Sequence, residues 1–309
     1  MNWTRFWKTG PGSDPLSVDE DNLPPDLGLA LEQLGRLIEV RPELVIPGET
    51  LARMLRGAFR TRGSVEPSLN PGEPQTDCLI GRIREGWREG VPAVRVVEPA
   101  IDQARLASRA KAVAESSAAE STAARSFHEW ITRDPDQMAD WARTMLRKGE
   151  AALERQIPRP GVQPNFALSV LRLVLLAELA DWTRRIVAHL DESSWPRGDC
   201  PVCGAWPALA ESRGLEQRRF LRCDCCGADW TANRLQCLYC GDVDHRSLHY
   251  HFAEGEQNRF RLAVCDRCGG RLKVIATLKP LSAPGLIVAQ LAMVHLDWIR
   301  AQASDQASP

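Results

Sequence analysis

The stretch Cys200–Gly241 reads CPVCGAWPALAESRGLEQRRFLRCDCCGADWTANRLQCLYCG and holds three Cys-x-x-Cys pairs; a fourth follows in AVCDRCGG, residues 263–270. The pairs are Cys200/Cys203, Cys223/Cys226, Cys237/Cys240 and Cys265/Cys268, and 19, 10 and 24 residues separate them. A glycine follows the second cysteine of each pair: Gly204, Gly227, Gly241 and Gly269. Two residues between cysteines let both sulfurs reach one ion from a tight turn. The residue after the second cysteine needs positive φ, which glycine adopts without strain. Two such turns facing each other form a tetrahedral four-thiolate site.

Eight such ligands therefore predict two four-cysteine sites. The first loop fits the spacing of a zinc ribbon and the third slightly exceeds it. Sequential pairing, first pair with second and third with fourth, is the simplest arrangement; pairing of the second with the third across the ten-residue loop is the alternative. A thioredoxin-type dithiol fits poorly, because that motif opens a helix after one strand and here four copies occur. A module of about 40 residues cannot stabilise itself by burial alone, so the ions act as scaffold. Four cysteines leave no open coordination position, which argues against metal-assisted hydrolysis. Tetrahedral sulfur suits iron and zinc alike. Cys225, in CDCC, is a spare thiol expected to face solvent, with a reactive or substitute-ligand role as the alternative. His249 and His251 alternate on a strand and are expected to be structural.

Outward from this region, the character changes on both sides. Short β-like runs lie between and after the cysteines: RRFLRC, WTANRLQ, LHYHF, RFRLAV and RLKVIATL. The order pair, strands, pair occurs twice, as in an internal duplication. LIVAQLAMVHLDWIRAQA then predicts a closing helix. Upstream, ESSWPRGD reads as a linker. Residues 25–190 read as all-helical, roughly six helices. Leu27, Leu31, Leu34 and Ile38 mark one helix face. Leu51, Met54, Leu55 and Phe59 mark a second. RGSVEPSLNPGEPQTD is a loop by composition, with the lone Cys78 just past it. Residues 98–125 read as helical, Asp134 and Pro135 as the start of the next helix, and Asn165 as the cap of an apolar helix to about Leu190. FALSVLRLVLLAELADW is interrupted by Arg172, Glu178 and Asp181, which predicts a buried helix rather than a membrane span.

The predicted fold class is α+β: an all-helical N-terminal domain, two small rubredoxin-like or zinc-ribbon modules of four cysteines each, and a C-terminal helix. The predicted boundaries are a loose terminus over 1–24, a helical domain over 25–194, metal modules over 195–236 and 237–280, a helix over 281–303 and a tail over 304–309.

The 309 residues carry a net charge of −1. Eight thiolates add eight negative charges and two divalent ions return four, so the loaded chain sits at roughly −5. That balance disfavours a duplex-DNA binder, although EQRRFLRC is locally basic and Arg213, Arg218, Arg219 and Arg222 could meet phosphates. The N-terminus has no apolar secretory core, and paired cysteines in a reducing cytosol read as metal ligands rather than disulfides; a cytoplasmic location is expected. The helical region has no P-loop, Gly-x-Ser-x-Gly or His-Glu-x-x-His signature. His128 and His189 are single helical histidines, and Asp134/Asp136 are helix-start charges. No catalytic residue and no other cofactor site is predicted.

With these features in hand, residues 198–300 resemble the FdhE family, accessory proteins of formate dehydrogenase. The resemblance rests on the order and spacing of the pairs, CPVCG with Pro207 after it, FLRC before the second pair, and Trp230 four residues past Cys226. It extends to Arg234 three before Cys237, LHY after the third pair, RLK after the fourth, and, more loosely, AQLAMVHLD. The helical region lies outside it. The resemblance implies a cytoplasmic, non-enzymatic assembly factor that contacts the catalytic subunit of exported formate dehydrogenases, which depend on molybdenum or tungsten. It implies rubredoxin-like iron sites, with Cys200, Cys203, Cys223, Cys226, Cys237, Cys240, Cys265 and Cys268 as ligands and the helical domain as a client-binding platform. A nucleic-acid-binding zinc ribbon and a rubredoxin-like electron carrier are the competing readings; oligomeric state is left open.

Overall fold

The helical region is organised around one helix whose sequence is apolar on nearly every side, as a helix must be when neighbours surround it. This is α9, Pro164–Val187, which buries fourteen side chains from Ala167 to Ile186. A computed structural model describes residues 23–60, 74–158, 161–190, 195 and 197–298. Around α9 lie α1 (Pro25–Val40), α2 (Val45–Phe59), α3 (Pro74–Arg88), the short α4 (Ala93–Val96), α5 (Gln103–Glu115), α6 (Thr122–Arg133), α7 (Gln137–Lys148) and the short α8 (Glu150–Glu154). Leu27 and Leu34 of α1 are buried, with Leu31 and Ile38 packed beside them, as the sequence spacing predicts. Glu178 of α9 is fully buried and is held by Arg105 at 2.8 Å and Arg109 at 3.1 Å. No helix of the described residues is long and apolar enough to cross a membrane.

Four local expectations are corrected. The helical stretch over 98–125 is two helices. The chain turns over residues 116–121, the Ser116 hydroxyl donates to the Val113 carbonyl at 2.7 Å, and Ser121 caps α6. Asp134 does not start the next helix. Its N–H closes α6 on the Trp130 carbonyl; Pro135 has no N–H to continue that helix, and α7 begins at Gln137. Asn165 is not a cap either: Gln163 occupies that position and Pro164 the first helical one. Most of the expected loose terminus, the first part of the expected loop over 62–77 and the tail lie outside the described residues; the end of that loop, 74–77, is instead the first turn of α3.

After the helices come β1 (Leu209–Arg213), β2 (Arg218–Arg222), β3 (Asp229–Thr231), β4 (Leu248–His251), β5 (Phe260–Cys265) and β6 (Arg271–Thr277). They form a single sheet in the order β3-β2-β1-β6-β5-β4. Each half is an antiparallel three-stranded unit, and the halves join where β1 pairs in parallel with β6, Ala210 opposite Val274. The two metal modules read from the sequence are thus halves of one continuous sheet. One face joins the helical core through Ala210, Leu221, Trp230 and Leu272. The other face, with Leu209, Phe260, Leu262 and Ile275, is covered by α10, Ala283–Ala292. Ser282 caps α10 by accepting from Gly285 N–H at 3.2 Å. Because α10 also packs on α1 and α2, it ties the sheet to the helical region.

Candidate metal centres

The four Cys-x-x-Cys turns have one geometry. In each, the N–H of the glycine returns to the carbonyl of the first cysteine: Gly204 to Cys200 at 2.8 Å, Gly227 to Cys223 at 3.0 Å, Gly241 to Cys237 at 2.9 Å and Gly269 to Cys265 at 2.8 Å. Closing that turn needs positive φ, and the glycines sit at 77°, 80°, 75° and 68°. The turn aims backbone N–H groups at sulfur. Val202 N–H lies 3.4 Å from Cys200 Sγ, Cys225 N–H 3.4 Å from Cys223 Sγ, and Gly270 N–H 3.3 Å from Cys268 Sγ. Such donors stabilise thiolate charge.

The sheet brings the turns together in sequential pairs. Cys200, Cys203, Cys223 and Cys226 form one cluster, and Cys237, Cys240, Cys265 and Cys268 the other; within each, all sulfurs lie within 4.8 Å of one another. Across the first cluster, Cys200–Cys226 and Cys203–Cys223 are 3.6 and 3.4 Å apart. Across the second, Cys237–Cys268 and Cys240–Cys265 are 3.6 and 3.8 Å apart. A tetrahedral ion with metal–sulfur bonds of about 2.3 Å sets its sulfurs about 3.8 Å apart. Both clusters therefore fit an ion, and together they could hold two.

Their surroundings differ. All four cysteines of the first cluster are buried. Its first turn hydrogen-bonds to α4: Ala93 N–H donates to the Pro201 carbonyl at 2.9 Å and Val94 N–H to that of Val202 at 3.0 Å. Its second turn lies on α9, where a Cβ on Gly227 would meet Ala180 Cβ at 3.2 Å. Beside it, Arg172 of α9 donates to Asp224 at 2.6 Å and also pairs with Glu150 of α8. Burial raises the Asp224 carboxyl, against the pull of Arg172. Burial likewise pushes the Cys200 and Cys226 thiols well up, whereas Cys223, which accepts from its three neighbours, is held low. Thiols give up their protons when they bind an ion.

The second cluster lies at the turn between β5 and β6, with Cys240 and Cys268 exposed. The turn of Cys237 and Cys240 carries Tyr239, whose hydroxyl donates to the Arg271 carbonyl at 2.8 Å and whose ring lies 5.1 Å from that of Trp206. Asp242 is held by Ser247 and, at 3.3 Å, by Arg267.

Cys225 is corrected: it is 1% exposed rather than facing solvent. Its turn is the one covered by α9, so the surface of the metal module is here an internal face. Cys225 stands outside the tetrad, as does Cys78, which is exposed on α3. His249 and His251 join neither cluster; His249 pairs with Asp266 at 2.9 Å.

The basic stretch divides. Arg222 and Arg213 both bind Glu211, and Arg213 reaches Asp229 at 2.5 Å. Glu211 lies at the sheet centre with no exposed surface, and also accepts from Thr277 at 2.9 Å and from Leu281 N–H. Burial alone would raise its carboxyl, but the Arg213 hydrogen bond and the charges of Arg222 and Arg213 outweigh it and hold the carboxyl below its ordinary range. Sequence reasoning misses this group, and nothing in LAESR signals it.

Curated relatives match part of the chain. It is 34% identical over 142 residues to a protein named "Protein FdhE homolog" from Aquifex aeolicus, 44% of this chain and 47% of that one. It is 35% identical over 81 residues to "Protein FdhE" of Escherichia coli, a quarter of each. A third match, from Edwardsiella ictaluri, is 32% identical over 100 residues. The crystal structure of the FdhE protein from Pseudomonas aeruginosa superposes with a TM-score of 0.57, over 91% of this chain and 93% of that one, at 19% identity. The chain is thus similar to FdhE proteins over part of its sequence, and to one of them in fold. At that identity the Pseudomonas FdhE structure shares the fold, including the helical region. The match spans about half, or less, of the length of the curated FdhE relatives. No protein-family model matches the chain.

Proposed function

We propose that this chain is a non-catalytic, cytoplasmic assembly or maturation factor that binds the catalytic subunit of a formate dehydrogenase or a related molybdoenzyme. The observation that carries the reading is the docking of a complete four-cysteine cluster onto α4 and α9. It makes the metal a keystone of a helical platform rather than a reactive centre. The eight paired cysteines are the ligands of two ions. A closed four-sulfur shell supplies structural rigidity or one-electron chemistry and offers no coordination site to a substrate. The nucleic-acid reading loses support because Arg213 and Arg222 are engaged by Glu211.

The test is affinity purification of the tagged full-length chain from its anaerobically grown host, with the retained proteins identified by mass spectrometry. A formate dehydrogenase catalytic subunit is expected, and it should be lost when Cys223 and Cys226 become serine. Nucleic acid in its place, or no such subunit, contradicts the reading. One observation favours a second reading, a rubredoxin-like electron carrier: Cys240 and Cys268 open the second cluster to solvent. That role needs iron with a reversible visible absorption, and zinc as the only metal of the purified protein rejects it.

A further inference from the structure

Two of the four arginines around β2, Arg218 and Arg219, have no carboxylate partner among the described residues, and they face the same cavity. Arg219 is only 8% exposed. Its Nη1 donates to the carbonyls of Asn233 at 3.2 Å and Gln236 at 3.4 Å, while its Nε is buried without a partner. A buried guanidinium in that state is costly unless a ligand completes it. Arg219 lines a cavity of about 400 Å³ between β2 and the loop that joins the two clusters. Arg218 and Arg234 stand at its rim; neither has an ion pair among the described residues, and Arg218 lies over the Phe220 ring at 5.4 Å. Glu216 also lines it, so the lining carries an excess of two positive charges.

We propose that this cavity is a carboxylate-binding site that receives an acidic segment of a protein partner, with Arg219 as its floor and Arg218 and Arg234 as its rim. Guanidinium groups donate to carboxylates bidentately, and a partly buried one does so with little screening by water. The rest of the lining favours a peptide over a nucleic acid. Leu235 projects at the cavity 66% exposed, and Leu215, in the turn that bears Glu216, is 98% exposed. A peptide supplies apolar side chains beside its acids. A phosphate backbone gains nothing from leucine. This goes beyond the client reading and stands or falls without it.

The test is fluorescence anisotropy of a labelled glutamate-rich peptide with leucines, its glutamine counterpart, and a single-stranded oligodeoxynucleotide of equal charge, against the full metal-loaded chain. The glutamate peptide should bind best. Arg234→Ala, an exposed change that leaves the fold intact, and Arg219→Met should each weaken it about tenfold, the loss of one charge-assisted contact. Metal content of each variant is measured in parallel. Equal binding of the glutamine peptide, tighter binding of the oligonucleotide, or wild-type binding by both variants overturns the proposal. So does an Arg219→Met variant that loses the second ion while keeping peptide affinity, because Arg219 then serves only as a counter-charge to Cys237 nearby.

Discussion

The two four-cysteine clusters are built from the same turn, yet they occupy opposite situations. The first is sealed between α4, α9 and the sheet, and its sulfurs belong to the same core as the helices. The second lies at the turn between β5 and β6, with two of its four cysteines exposed. What differs is not the ligand set but what packs behind the turn. A metal-binding turn over solvent is a local staple. The same turn over a helix makes the ion part of the whole chain's stability.

The strongest way to break the comparison is to remove one ligand from each cluster. Structural zinc in thiolate sites contributes on the order of 10–16 kcal/mol, as much as a typical domain's entire stability. Cys226→Ser should therefore abolish cooperative thermal unfolding followed by helical circular dichroism. Cys240→Ser should cost one equivalent of metal and leave a cooperative helical transition. Collapse of both, or of neither, would erase the distinction.

A step smaller, the junction itself can be cut. Arg172→Leu leaves Asp224 buried without its cation and should cost about 3 kcal/mol in urea unfolding. Arg267→Ala removes an exposed partner of Asp242 and should cost under about 1 kcal/mol. Gly227 and Gly241 sharpen the same point. Alanine at either position carries the left-handed φ penalty of about 1–2 kcal/mol. At Gly227 it also meets Ala180, whereas at Gly241 its nearest contact is the Gln236 side chain at 3.8 Å, so Gly227→Ala should be the more destabilising. Equal shifts in midpoint would show that α9 does not press on the turn.

The last comparison concerns the sheet that joins the clusters. The folded-state pKa of Glu211 lies below its ordinary value of 4.5. Its stabilisation is therefore complete above that value and is lost as pH falls through the folded-state pKa. Glu211→Gln should be less stable than wild type at neutral pH, with the gap closing as the solution is acidified. Parallel stability curves would remove Glu211 from the set of groups that hold the sheet.

What is legible in the sequence follows the same divide. The Cys-x-x-Cys spacing and the four glycines are enough to find the turns and their simplest pairing, because the chemistry is local. RRFLRC, LHYHF, RFRLAV and RLKVIATL read as strands because β-branched and aromatic residues sit on a pleat. β1 does not, since LAESR has neither; its Glu211 meets Arg222 on β2 and Thr277 on β6, beside Arg213 of its own strand. Without β1 the parallel join to β6 is invisible, and two modules are read where one sheet stands. The local reading of Cys225 as exposed fails for the same reason. Its burial depends on α9, far upstream in the chain, and no local pattern reports that contact.

The most direct measurement is metal release from the fully loaded chain at neutral pH, followed with a chromogenic chelator. Two separated phases of one equivalent each are expected: a fast one that leaves helical circular dichroism unchanged, and a slow one that tracks its loss. A single phase releasing both ions together, or a fast phase that unfolds the helices, would contradict the division between a buried, fold-wide ion and an exposed, local one.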